Sequence, residues 1–153
     1  EALIGILPKL RDYEDDLRDQ WQSRHHREEW KRYLAFLEQQ INVRGQSITL
    51  LSGEIHLATR AEMQLEKGWL HQLVASGIAH PPPPKAYART LGLLARLGEA
   101  PLPGRPITLH PLPGQRAIYS AERNFLLLHQ QRPNCWEASW YLEESGWTGP
   151  LTI

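Results

Sequence analysis

Glu54 and His56 are the residues whose types and spacing come closest to a chemistry. Two apart on an extended backbone, a carboxylate and an imidazole project to the same side. Both are metal-competent donors, so a divalent cation is the first chemistry they suggest. Gly53 precedes them and permits a sharp turn and close approach of the backbone to a ligand. The plainer alternative is a solvated Glu and a His satisfied by a local hydrogen bond, and spacing alone leaves both open. Arg60 is the nearest guanidinium; its fork suits phosphate oxygens, although an ion pair with a Glu serves it equally well.

Other candidates are weaker. Asp12, Glu14, Asp15, Asp16 and Asp19 stand among Arg11 and Arg18. Oxygen-rich clusters bind hard cations, but the turn glycine and closing Glu of a calcium loop are missing, which favours a solvated face. His25 and His26 are adjacent, so on a helix they diverge by about 100° and cannot chelate one ion together. Cys135 has only Arg132 as a basic neighbour and no nucleophile pattern around it.

The elements that must position these groups begin with a run from Ser47 to Leu51, read as a short buried strand broken at Ser52-Gly53. Ahead of it, Trp30, Tyr33, Leu34, Leu37 and Ile41 recur at helical spacing, with Ser23 as N-cap and Gly45 as stop. Glu28 and Arg32 are spaced to pair across one turn. Leu57 to Lys67 is ambiguous between a helix and an irregular crossover, and Trp69 to Ile78 reads as a second strand. Pro81 to Pro84 form a stiff polyproline II connector, a spacer or a ligand for an SH3-like partner. Pro84 opens a helix over Lys85 to Leu97, with Tyr87, Leu91 and Leu94 on one stripe and Gly98 as stop. Glu99 to Pro106 reads as a loop. Ile107–Leu109, Gln115–Ser120, Asn124–His129 and Trp136–Glu143 read as an antiparallel meander. In the last run Trp136, Ala138, Trp140 and Leu142 alternate with Glu137, Ser139, Tyr141 and Glu143, so one face is buried. Trp136 and Trp140 are core residues or a stacking platform for sugars or bases.

The 153 residues, 41% hydrophobic and 22% charged, suffice for a single soluble domain spanning 1–153. Seventeen basic residues balance seventeen acidic ones, so no field favours nucleic acid or an anionic membrane. One cysteine, with no membrane-spanning run, suits a reducing cytoplasm; a signal peptide further upstream would be invisible.

Leu50-Leu51-Ser52-Gly53-Glu54-Ile55-His56, preceded by Asp15-Asp16-Leu17-Arg18-Asp19-Gln20-Trp21 and His26-Arg27-Glu28-Glu29-Trp30, resembles the C-terminal half of PhoD-like metallophosphatases of the calcineurin-like superfamily. The resemblance extends through Gln72 to Ile78. Family members usually carry Asp where this chain has Glu54. The resemblance implies an α/β (α+β) fold: half of a two-sheet sandwich, with a mixed sheet, flanking helices and a C-terminal meander. It implies a two-metal phosphatase or phosphodiesterase acting on a phosphate ester, in which His56, and Glu54 beside it, are late metal ligands; Arg60, read from its type and position, is the substrate-binding candidate. Two such ions clamp the phosphoryl oxygens and activate a bridging water. The early metal motifs of the superfamily do not occur in the chain. The expectation is therefore a C-terminal fragment, inactive alone, whose uncovered sheet face promotes self-association. From a different class, a non-catalytic α/β interaction module would use the Trp-rich meander and the proline run to hold a protein partner.

Overall fold

The computed structural model describes residues 26–54 and 56–153. The expectations for the acidic cluster, Ser23 and His25 lie outside the described residues. The chain divides into two compact units, Glu1–Gln40 and Ile41–Ile153. It is of mixed α and β class.

Helix α1 spans Arg27–Arg44, with Glu28 and Glu29 in its first turn and Arg44 in its last, each complementing the helix dipole. Trp30, Leu34 and Leu37 are buried at three- and four-residue steps, whereas Tyr33 is exposed. Glu28 pairs with Lys31 at 2.9 Å, one step short of the Arg32 expected from the sequence. Gly45 at φ +64° ends the helix and donates to the Ile41 carbonyl.

In the second unit, β1 (Ile48–Glu54), β2 (Thr59–Gln64), β3 (Trp69–Ser76), β4 (Glu99–Leu102) and β5 (Arg105–His110) form a mixed sheet in the order β1-β3-β2-β5-β4. β3 inserts between β1 and β2, parallel to the former and antiparallel to the latter. Ser52-Gly53 does not break the strand as expected. β1 runs through it to Glu54, and Gly53 has open space around it with no positive φ, so the turn comes one residue later. The ambiguous stretch after His56 holds strand β2, and the expected loop at Glu99 holds strand β4, paired with β5 in a hairpin through Pro103-Gly104.

α2 (Lys85–Ala95) follows Pro84, whose fixed φ of −54° suits it to the helix entrance. Its buried residues are Ala88 and Gly92, with Leu91 packed beside them, while Leu94 is exposed. The small residues let the helix approach the 118–121 segment, and a Cβ on Gly92 would meet Ile118 at 3.6 Å. Gly98, at φ +71°, closes the following turn.

The second sheet holds β6 (Asn124–Arg132), β7 (Cys135–Leu142), β8 (Gly146–Trp147) and β9 (Leu151–Thr152), all antiparallel around β7. The expected four-strand meander is thus divided. Residues 107–110 belong to the first sheet, and 115–120 contribute only a bridge between Ala58 and Ser120. The alternation in β7 is as read from the sequence: Ala138, Trp140 and Leu142 are fully buried. They form a core with Ala58, Leu73 and Leu112, so the sheets pack face to face. Trp140 fills this core and donates its indole N–H to the Val74 carbonyl at 3.0 Å, which satisfies its one polar atom. Trp136, at the strand's start, is 39% exposed.

Candidate functional site

Two imidazoles meet at the carboxyl-end edge of the parallel pair β1 and β3. Register pairs Glu54 with Ser76, so both chains leave the sheet on the same side. His56 lies two residues beyond one strand end and His80 four beyond the other, and their rings stand edge to face with centroids 4.7 Å apart. Such an edge is where α/β sheets hold ligands, because the loops there are free of ladder hydrogen bonds.

The chain must cross from β1 over the end of β3 to reach β2, and Glu54 shapes that crossing. Its Oε2 accepts the backbone N–H of His56 at 2.6 Å and that of Leu57. One carboxylate oxygen is therefore committed to turning the backbone, so Glu54 is not simply solvated. Leu57 then packs with Ala88 and Ala121, which ties the His56 loop to the helix that follows His80. Between them the four prolines leave little freedom, and Pro83 is buried. His80 Nδ1 lies 3.3 Å from the Pro81 carbonyl; since the carbonyl can only accept, this contact is a hydrogen bond in the Nδ1–H tautomer, which leaves Nε2 as the other ring nitrogen. Tyr119 packs against the same cluster, its hydroxyl pKa pushed up by burial and then by the charge of Glu54.

Arg60 is not brought to this edge. It pairs across strands with Leu73, three residues before Ser76, so pleat alternation sends it to the opposite face from Glu54. There its Nε donates to the Pro111 carbonyl at 2.9 Å.

A second pair of histidines lies on that opposite face. Glu62 sits between His110, 2.8 Å from Nε2 to Oε1, and His71, 3.8 Å from Nδ1 to Oε2. The His110 contact is close but poorly aligned, so it acts as an ion pair when the ring is protonated and not as a directed hydrogen bond. Burial lowers the pKa of His71, Glu62 opposes that, and Arg60 adds to it. Trp69 stacks on His71 with centroids 6.2 Å apart.

Glu122 is a buried carboxylate that the sequence did not single out. Burial alone would raise its pKa, but the Ser145 hydroxyl, the backbone N–H groups of Ser145 and Glu144, and Lys85 together hold it below the usual range. It ties the β7–β8 turn to β6 and is structural. In the first unit, a cleft of about 470 Å³ is lined by His26, Glu29, Arg32 and Tyr33. Its charged groups already pair, Arg32 with Glu29 at 3.6 Å.

Among the described residues, no group of three or more His, Cys, Asp and Glu side chains is disposed to hold a metal ion. The imidazoles of His56 and His80 fit as part of one ion's donor set; a complete two-metal set is not built from these residues. Among them, too, no helix is long and apolar enough to cross a membrane. Nothing local in the sequence argues for bringing His80 to His56, 24 positions away; parallel pairing of β1 and β3 brings the two together.

No family model and no solved structure matches the chain. It is similar to an uncharacterized protein of Saccharomyces cerevisiae, 34% identical over 110 residues, in a match that covers 54% of this chain and 16% of that protein. The chain thus corresponds to a small part of a much longer relative.

Proposed function

We propose that the chain is part of a metal-dependent phosphatase or phosphodiesterase of the PhoD-like kind and supplies late ligands to a site completed by residues outside it. The observation that carries this reading is the meeting of His56 and His80 at the carboxyl-end edge of a parallel strand pair. In it, His56 is a metal donor, and Glu54 holds the His56 loop through its backbone bonds. Arg60, on the far face, has a structural role in this part of the protein. The metal, when bound, supplies Lewis-acid activation of water and phosphoryl oxygens. Two imidazoles alone make no template for displacement, so the isolated chain is inactive.

The test is hydrolysis of a chromogenic phosphomonoester and diester with Mn²⁺, Fe²⁺, Zn²⁺ or Ca²⁺ supplied, comparing this chain with an upstream-extended protein. Turnover in the extended form only, with at least a hundredfold loss in His56→Ala, supports the reading. Unchanged turnover in His56→Ala removes it.

A second reading, a non-catalytic interaction module, is favoured by one observation. Phe125, Tyr141 and Trp147 form an exposed ring cluster on the outer face of the second sheet, with centroids 5.2 to 5.6 Å apart. Exposed aromatic groups of this kind mark interfaces. Self-association through this face predicts a dimer in sedimentation velocity that Trp147→Ser dissociates; a monomer at high concentration would count against it.

A further inference from the structure

We infer that His80 is a metal-binding partner of His56, so that the two form a two-imidazole site for a divalent transition metal within this chain. The inference rests on the reading above in taking His56 as a donor, and it adds a ligand that the sequence resemblance does not supply.

Three observations carry it. The first is separation. With metal–nitrogen bonds of about 2.0–2.1 Å, two imidazoles at neighbouring positions on one ion have ring centroids roughly 4.5–5.3 Å apart. The rings of His56 and His80 stand at 4.7 Å with planes 84° apart. The separation of the rings is thus the one that two imidazoles on a shared ion require, and turning both nitrogens to that ion takes rotation about the side-chain bonds. The second is the tautomer. In the Nδ1–H tautomer His80 donates a hydrogen bond to the Pro81 carbonyl and its Nε2 lone pair is the one for a metal, the arrangement that orients metal-bound histidines. The third is anchorage. Leu57 and Ala88, the first just after His56 and the second in the helix beyond the prolines, are buried in one cluster with Ala121. A mobile pair would lose much of its chelate advantage to ordering entropy; this pair is held from both sides.

The Glu62 group offers a control within the same molecule. It has two histidines and a carboxylate, but Glu62 occupies the space between the rings as their counter-charge. A transition metal selecting the edge pair must ignore it.

The experiment uses this 153-residue chain. Zn²⁺ titration by calorimetry should show one ion bound, with affinity falling about tenfold or more in His80→Ala and in His56→Ala, and little further in the double variant. Equal affinity in His80→Ala and the parent chain, or no ion bound, overturns the inference. Circular dichroism checks that each variant folds. A measurement on the parent chain avoids that question: substoichiometric Cu²⁺ should broaden the His56 and His80 ring resonances together. Broadening at His71 and His110 instead, or at only one member of the edge pair, also overturns it. Joint broadening in this chain, with hydrolysis by the extended protein untouched by His56→Ala, would leave the metal site standing and remove the phosphatase reading.

Discussion

Among the described residues two histidine pairs each lie beside a glutamate, and the glutamate serves differently in each. On the face of the first sheet, Glu62 lies between His71 and His110 and serves as counter-ion to both. At the strand edge, Glu54 turns to the backbone and accepts two amide hydrogens, so His56 and His80 face each other directly. A carboxylate between imidazoles acts as their counter-charge when they are protonated. One diverted to the main chain shapes the loop that carries the imidazole. Residue type alone does not distinguish these cases; the difference lies in what each carboxylate oxygen touches.

The largest test of the comparison removes what both pairs share. β3 carries His71 and leads to His80, and it is locked to the second sheet by the Trp140 indole on the Val74 carbonyl. Trp140→Ala should cost about 3–5 kcal/mol in urea denaturation through lost burial and the cavity left behind. Both ring contacts should weaken together by NMR. A loss under about 1 kcal/mol would mean that the sheets do not depend on this core.

Next come the two glutamates. Glu54→Ala removes hydrogen bonds from two amides to a charged acceptor and should cost roughly 1.5–3 kcal/mol. It should also abolish the ring-to-ring effects between His56 and His80. Glu62→Ala breaks half-exposed ion pairs and should cost about 1 kcal/mol or less. Equal costs would erase the distinction between a carboxylate that builds a turn and one that neutralises its neighbours.

The smallest effect is electrostatic. Burial lowers the His71 pKa in the folded state below its unfolded value of about 6.5. Between these values the unfolded chain holds more protons, so this contribution is fully present above about pH 6.5 and is lost as pH falls through the folded value. Glu62 opposes the shift, so Glu62→Gln should lower the His71 value further and steepen the loss of stability toward acid. An NMR titration of His71 that moves upward in Glu62→Gln would contradict this account.

Much of the local structure was legible in the sequence because its causes are local. Gly45 and Gly98 sit at positive φ where the turns demand it, and the prolines end at the entrance of α2. The alternation along β7 predicted the burial of Ala138, Trp140 and Leu142, though not the exposure of Trp136 at the strand's start. Errors arose where local and distant signals compete. Gly53 reads as a break, yet ladder pairing with Ala75 keeps it extended. Leu57 to Lys67 has no clear period, and strand β2 exists there because β3 and β5 offer edges on either side. Glu99 to Leu102, rich in loop residues, becomes a strand by pairing with β5.

The candidate site divides in the same way. The sequence by itself determined that Glu54 and His56 stand together at a strand's end, since that depends on adjacent residues and on the short reach of a glutamate to the amides two and three positions ahead. Only the tertiary structure decided that His80 joins them and that Arg60 does not. Whether two strands pair parallel, and in which register, depends on which face of the sheet is buried against the second sheet. That choice brings two distant loops to one edge and sends a nearby arginine to the other face.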